Sequence, residues 1–464
     1  MTTASYGDDD PIAAFATIPG NSALTLIRCS GKGSPELAAA VFSAGEKLLH
    51  AAGNTVIRGW IVAPDTAELV DDVMLSVFRA PKSYTGEDSL DISCHGGSAA
   101  GNAVMGILRS AGFRDALPGE FTFRSFMNGK IDLTRSESVM EIVSAKTDMG
   151  RHHAVHRLSG VLEQEVNSIK QKLVAVLASA EIFLDYSEDE ISADNNEIAG
   201  RLPNRELALE SLARLQELAQ SWQRQRIYQE GILAVIAGRT NAGKSSLFNL
   251  LIKEERSIVT DVPGTTRDWI EAWVSIEGIP VRLADTAGLR ESADPVEKIG
   301  IERSRDLLEA ADLVLYLVDG ETGLTDADHT FVNNTRHNKP LLVLWNKADI
   351  APLPENLNHD DFLCVSAKTG KGIAELTSAM IAAITGEHQL QTDAASIGTA
   401  RQKNLVDAAI TALQEALHLA EREEPLDLIA PMLREAVNSL GEITGEVSTA
   451  DILEEMFSKF CVGK

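Results

Sequence analysis

"GRTNAGKSS", residues 238–246, decides the fold through what flanks it: the apolar, strand-like "GILAVIA" (231–237) before it and the helical "SSLFNLLI" (245–252) behind it. A strand, the pattern G-x-x-x-x-G-K-[ST] and a helix, in that order, make a loop that cradles phosphate. Gly238 and Gly243 let the backbone turn its amides inward, Lys244 carries charge to the β and γ phosphates, and Ser245 offers a hydroxyl to Mg²⁺. Asn241, Ala242 and Ser246 complete the expected loop.

Three further elements follow in the order such a domain requires. "DTAG" (285–288) ends a strand and places Asp285 near Mg²⁺, with Thr286, Ala287 and the Gly288 amide by the γ-phosphate. "NKAD" (346–349) follows the strand-like "LLVLW", and "SAK" (366–368) follows "FLCV". Asn346, Lys347 and Asp349, closed by Ser366, Ala367 and Lys368, are therefore the expected base pocket. A carboxylate at Asp349 accepts from both N1–H and the 2-amino group of guanine, a donor pair adenine lacks, so the expected nucleotide is GTP.

Position 289, after the "DTAG" turn, is leucine, where Ras-type switches carry a glutamine that orients the attacking water. Leucine cannot do this, so the chemistry depends on another polar group, with Arg290, Glu291 and Glu297 as candidates. Upstream, "TDVPGTTRD" (260–268) puts Thr266 in place for Mg²⁺. Its expected nucleotide-facing residues are Thr260, Asp261, Val262, Pro263, Gly264, Thr265 and Thr266. The carbonyl oxygens of this loop, with the amide oxygen of Asn241, suit a monovalent cation that supplies positive charge where other enzymes insert an arginine.

The 464 residues suggest about three soluble domains. The start, "MTTASYGDDD", has neither a basic nor an apolar leader region, and no apolar run approaches a membrane span, so a cytoplasmic protein without a membrane partner is expected. The formal charge of −26 repels nucleic acid at long range, and DNA is not an expected partner. RNA has to meet a local basic patch, for which the window 129–160, with Lys130, Arg135, Lys146, Arg151 and Arg157 beside His152, His153 and His156, is the candidate. The acidic "DYSEDEISADNNE" (185–197) reads as a solvated loop. Cys29, Cys94, Cys364 and Cys461 are far apart and fit neither a zinc knot nor a disulfide framework.

Residues 1–128 alternate strand-like runs ("ALTLIR", "VIRGWIVA", "VMLSVFRA", "SLDISC") with one helical stretch at 98–111, an α/β domain. From Leu162 the apolar positions Val166, Ile169, Leu173, Val176, Ala180 and Phe183 keep the spacing of a long helix with one buried seam. Helical periodicity returns after a polar connector (387–400) with Leu405, Ala409, Leu413 and Leu417. The expected fold class is thus α/β plus all-α: an N-terminal α/β domain (1–128), then a helical domain (129–226 and 387–464) interrupted by an inserted Ras-like P-loop domain (227–386). The helices 160–225 and 400–464 are expected to pack together. Pro431 is expected to mark a helix start or a kink.

With "YTGED" (84–88), "CHGG" (94–97), "PGEFTFRSFMNGKIDLTRSE" (118–137), "DVPGTTRD", "DTAGLRE" and the terminal "CVGK" added to the phosphate loop, the chain resembles the tRNA-modification GTPases of the MnmE/TrmE family over essentially its whole length. The resemblance implies K⁺ held by Asn241, Thr260, Val262 and Thr265 once two GTPase domains meet, and water positioned by Glu297. It implies a homodimer through the N-terminal domains that binds 5-formyltetrahydrofolate, with Arg28, Asp91, Lys130 and Lys464 around the folate. Aspartate at 91 departs from the glutamate of many members. The resemblance further implies a flavin-dependent (FAD) partner of the MnmG/GidA type, and a carboxymethylaminomethyl or aminomethyl group placed on carbon 5 of the wobble uridine of tRNA.

The terminal "FCVGK" (460–464) does not fit a prenylation box, which does not end in lysine. If Lys464 reaches the folate, Cys461 is drawn into a cleft between the helical and folate domains and resembles the family's reactive cysteine. The other reading is a packed thiol. Cys29, Cys94 and Cys364 are expected in the core, and His95 is expected to cap a turn or touch the folate. Trp269 and Trp273 are expected to pack. Two alternatives stand beside this function: a ribosome-assembly GTPase switch, which calls for a basic RNA-binding appendage, and a folate-dependent one-carbon enzyme with a regulatory GTPase domain.

Overall fold

The computed structural model describes residues 6, 9–18, 20–185, 202–254, 256–257, 271–285, 306–385 and 394–463. They fall into two compact units: residues 1–140, 166–170 and 434–464, and residues 141–165 and 171–433.

The first unit carries β1 (Ile12–Phe15), β2 (Leu24–Ser30), α1 (Ser34–Ala40), α2 (Gly45–Leu49), β3 (Thr55–Val62), β4 (Leu69–Phe78), β5 (Ser89–His95), α3 (Ser98–Ala111), β6 (Arg114–Asp115) and α4 (Glu120–Met127). The sheet order is β3-β4-β5-β2-β1-β6, antiparallel except between β1 and β6. Along β3 the residues Ile57, Gly59 and Ile61 turn inward while Val56, Arg58 and Trp60 face out, the alternation of a sheet covered on one side. Gly101, Val104, Met105 and Leu108 of α3 lie on its buried stripe, at helical spacing. The single helix expected in this region is joined by α1, α2 and α4, of seven, five and eight residues, too short to establish a helical period. Cys29 and Cys94 lie in the core as expected, whereas Cys364, in the second unit, is only partly buried.

Within this unit Glu120 is fully buried between two arginines, with Arg114 Nη2 at 2.7 Å and Arg124 Nη2 at 2.9 Å from its Oε1. Its other oxygen accepts the Leu117 amide at 2.8 Å. This network fixes the turn before α4. The same turn receives the C-terminal helix (Ala450–Ser458): Phe457 and Phe460 pack with Phe123, Leu133 and Leu453.

The second unit contains α6 (Asp148–Leu158), α8 (Arg205–Gln229), β7 (Ile232–Gly238), α9 (Lys244–Glu254), β8 (Arg256–Ser257), β9 (Glu271–Ile276), β10 (Ile279–Asp285), β11 (Leu313–Asp319), α10 (Asp326–Arg336), β12 (Leu341–Asn346), β13 (Leu363–Cys364), α11 (Ile373–Thr385) and α12 (Ala400–Glu421). Helices α5 (Leu133–Ser144), α7 (Val161–Asp185) and α13 (Leu426–Thr444) belong partly to each unit. The sheet runs β13-β12-β11-β7-β10-β9-β8, with β13, β12, β11, β7 and β10 parallel. β7 is apolar throughout because both of its faces are covered. Ile232, Ala234 and Ile236 pack toward α9 and α11, and Leu233, Val235 and Ala237 toward a second cluster containing Trp345.

In α7 every expected seam residue from Leu162 to Ala180 is buried. α8 packs on α12, and Arg205 Nη2 lies 2.6 Å from Glu421. Pro431 neither starts α13 nor stands in its first turn. Burial of Ile429, Leu433, Ala436, Leu440 and Ile443 on one stripe holds the helix together. At ~1.5–3 kcal/mol per buried aliphatic side chain, that stripe outweighs the ~3 kcal/mol cost of an interior proline.

One buried guanidinium ties this unit's helical part to both crossings into the sheet. Arg157, 1% exposed, pairs with Glu141 at 2.5 Å and donates to Gln225 near the end of α8 at 3.3 Å and to Ser396 before α12 at 3.4 Å. A Cβ on Gly398 would lie 2.1 Å from Glu141 Oε1, so the chain passes directly over the pair. Among the described residues no helix is long and apolar enough to cross a membrane.

Candidate active site

The parallel strands of the second sheet end along one edge: Gly238 ends β7 and the polar Asp285, Asp319 and Asn346 end β10, β11 and β12, with Ser366 just after β13. Ligands of open α/β sheets bind outside the carboxyl ends of strands, where strand order reverses, and here β7 lies between β10 and β11.

The loop from Gly238 to α9 is held by its own lysine. Lys244, 7% exposed, donates to the Gly238 carbonyl at 3.0 Å and the Arg239 carbonyl at 2.8 Å, and Ser245 Oγ donates to Asp285 Oδ2 at 2.7 Å. A hydroxyl beside a carboxylate that is 4% exposed forms an oxygen donor pair of the kind Mg²⁺ takes. Gly243, at φ +99°, is in the region glycine favours, and a Cβ there would lie 2.2 Å from Asn346 Nδ2.

Asn346, 2% exposed, is the joint of the site. Its Nδ2 donates to the Ala242 carbonyl at 2.7 Å, its Oδ1 accepts from the Ala367 amide at 3.0 Å, and its own carbonyl accepts from Gly320 at 3.0 Å. One side chain thereby connects "NAGKSS" with "SAK" from within "NKAD". Asp349 is exposed, and a hydrogen bond from Ser366, with the charges of Lys368 and Lys371, lowers its pKa and keeps it an acceptor. Lys347, at φ +62°, reaches Asp319 Oδ2 at 2.9 Å and Glu321 Oε2 at 2.6 Å.

The structure thus brings Ala242, Gly243, Lys244, Ser245, Asp285, Asn346, Lys347, Asp349, Ser366 and Ala367 to one edge. Thr260, Asp261, Val262, Pro263, Gly264, Thr265, Thr266, Thr286, Ala287, Gly288, Leu289, Arg290, Glu291, Glu297, Trp269 and Lys464 lie outside the described residues, as does most of the acidic stretch 185–197. Asp319 and Glu321 were not singled out from the sequence. The available signal was that "VDG" ends a strand just as "LAD" and "LWN" do.

In the first unit Arg28 and Asp91 face each other across β2 and β5, with Nε–Oδ1 at 3.0 Å and Nη2–Oδ2 at 3.3 Å. The guanidinium lies 5.9 Å from the Tyr84 ring centroid, and Lys130 Nζ donates to the Pro81 carbonyl at 2.9 Å, so the loop 81–86 touches both. His95 instead meets Asp71, at 2.6 Å through Nδ1, and this contact raises its pKa. Cys461 is exposed rather than packed, and its carbonyl accepts from the Gly119 amide at 3.2 Å. Gly463 follows at φ +91°, where a Cβ would meet the Phe15 carbonyl at 2.3 Å, so the tail lies directly on the end of β1.

The basic window 129–160 is not an open cationic surface. Arg157 is buried on Glu141, Arg135 pairs with Asp132 and Arg151 with Asp148. Lys146 sits 3.4 Å from the Trp273 ring centroid and donates to the Glu230 carbonyl, and burial lowers its pKa. Burial, with the charges of Arg157, His152 and His156, lowers His153 to about 4, so it is neutral at pH 7. Acids of the same window, Asp132, Glu141 and Asp148, pair with three of its arginines.

Residues 133–461 match the family model described as MnmE helical domain, and residues 11–130 the one described as GTP-binding protein TrmE N-terminus. The tRNA modification GTPase MnmE of Treponema denticola is 42% identical over 481 residues, covering 100% of both chains. That of Carboxydothermus hydrogenoformans is 40% identical over 465 residues, covering 98% of this chain and 100% of its own. Similarity at 40–42% identity that covers 98–100% of this chain and the whole of these relatives makes it a member of the MnmE family of tRNA modification GTPases.

Proposed function

We propose that GTP binds at the strand ends described above, within an inserted domain (227–386), and that its γ-phosphate is cleaved when two such domains meet around K⁺. The observation that carries this reading is Asn346, whose amide bonds the phosphate loop and the "SAK" loop at once. In this reading Lys244 leaves its two carbonyls for the β and γ phosphates, and Ser245, Asp285 and Thr266 surround Mg²⁺. Asp349 accepts from the guanine edge, and Glu297 orients water in place of the glutamine that Leu289 replaces. Asn241, Thr260, Val262 and Thr265 would hold K⁺, which contributes charge at the phosphates. The initial GTPase rate of the full-length protein is expected to be at least about tenfold higher in KCl than in NaCl, since preorganised charge at a transition state is worth ~10²–10³ per group. Asn241→Ala is expected to erase the difference. Equal rates in both salts, with Asn241→Ala silent, would end the cation reading.

The reading extends to the first unit. Arg28, Asp91 and Lys130, gathered by the loop 81–86 with the flat Tyr84 ring beside them, suit a donor-rich fused ring such as that of 5-formyltetrahydrofolate, with Lys464 nearby. The folate supplies or positions the one-carbon unit. Homodimerisation uses this unit, whose sheet leaves Val56, Trp60 and Met74 exposed. With a flavin-dependent MnmG/GidA-type partner, the cytoplasmic complex modifies carbon 5 of the wobble uridine. Exposure of the Cys461 thiol on a docked tail supports a chemical role over packing. Cys461→Ser is expected to leave GTP turnover within about twofold while the modified uridine falls below about a tenth, since a thiol acting chemically is not replaced by a hydroxyl. Nucleoside mass spectrometry of anticodons from complemented cells reads this, and normal modification in the variant would refute the role.

A further inference from the structure

Lys347 is the residue between the two members of the base-pocket motif that act on the nucleotide edge and the loops. Its backbone at φ +62° is a conformation that non-glycine residues hold only when their surroundings enforce it. Its ammonium spans from the end of β12 to the end of β11, where Asp319 takes it at 2.9 Å and Glu321 at 2.6 Å. Asp319 is itself fixed. Its Oδ1 accepts the Glu321 amide at 3.0 Å, its carbonyl accepts Gly323 at 2.9 Å, and the Gly320 amide ties the same turn to Asn346 at 3.0 Å. Its side chain is only 10% exposed, against 54% for Glu321, so Asp319 is the firm anchor and Glu321 the outer one. A lysine fixed at its backbone and at its ammonium has an ordered stem, and such an apolar strip suits the face of a purine.

We propose that Asp319, assisted by Glu321, is a positioning residue that holds the Lys347 stem against the base and sets nucleotide affinity at the base end alone. This rests on the GTP reading of the pocket. An unanchored lysine has to be ordered each time nucleotide binds, and that loss of rotamer freedom reduces affinity.

The test uses the full-length protein with Mg²⁺, titrated with GTP, GDP, ITP and, as a probe of the phosphate loop only, inorganic tripolyphosphate. Asp319→Asn is expected to weaken GTP, GDP and ITP by one common factor of about ten, through KM rather than kcat, with tripolyphosphate inhibition unchanged. Glu321→Gln is expected to give a smaller loss in the same pattern. In a Lys347→Met background, Asp319→Asn is expected to add nothing. Unchanged GTP affinity in Asp319→Asn, a parallel loss of tripolyphosphate, or an undiminished effect in the Lys347→Met background would each overturn the role. Wild-type protein that binds ITP as tightly as GTP would overturn the pocket reading itself, whereas failure of the Asp319 variants alone leaves that reading standing.

Discussion

Gly243→Ala is expected to lower GTP affinity at least about a hundredfold while leaving the first unit folded. The added Cβ would lie 2.2 Å from Asn346 Nδ2, at a φ of +99° that alanine resists. Asn346 has nowhere to retreat, being 2% exposed and bonded on both sides of its amide. Displacing it orphans the Ala242 carbonyl and the Ala367 amide, each at ~1–3 kcal/mol, and the strained backbone adds ~1–3 kcal/mol. At 1.4 kcal/mol per tenfold, the low end of this sum is already about a hundredfold. Equilibrium binding of GTP measures it. Asn346→Ala provides the control: it removes the clash and the joint together, so Gly243→Ala on that background should add only the backbone strain. Native GTP affinity in Gly243→Ala would mean that the contact between the two loops does not matter.

Asp349→Asn is expected to exchange the preferred nucleotide from GTP to xanthosine triphosphate, a swing of about a thousandfold in relative kcat/KM. The carboxylate is kept ionised by the Ser366 hydrogen bond and by Lys368 and Lys371, so at neutral pH it offers acceptors only. In the proposed pose guanine presents two donors to it. An amide offers one acceptor and one donor, which leaves the 2-amino group facing a donor but matches xanthine, where an oxygen replaces that amino group. Hydrogen bonds to a charged group contribute ~1.5–3 kcal/mol each, so losing one pair and forming another accounts for the size. The lowered pKa also fixes the direction with pH: GTP preference holds through neutral pH and fades only once acid protonates Asp349 below the ordinary carboxylate range. Competition between the two nucleotides in single turnovers checks it, and an unaltered preference for GTP would remove Asp349 from base recognition.

Much of this site was legible because it rests on local pattern. "GRTNAGKSS", "DTAG", "NKAD" and "SAK" each end or follow an apolar run, and parallel strands buried on both faces cannot be anything but apolar. The long seam of α7 was legible for the same reason. What escaped depends on distance in the chain. Asp319 acquires its role only from a lysine on the neighbouring strand, and nothing in "VDG" announces that. Arg157 escaped for the same reason: it reads as surface charge until Glu141, Gln225 and Ser396 close over it. α1, α2 and α4 were missed because they are too brief to establish a hydrophobic period. Cys461 could be read either way from sequence, and only the aromatic packing of Phe457 and Phe460 fixes the backbone that leaves the thiol open to solvent.

Arg157 links the two chain crossings into the second sheet through a single side chain. Gln225 on the way in and Ser396 on the way out hang on the same planar, permanently charged group, whose countercharge at Glu141 belongs to neither. A shift at either crossing therefore loads the same buried ion pair, so the two crossings share one anchor.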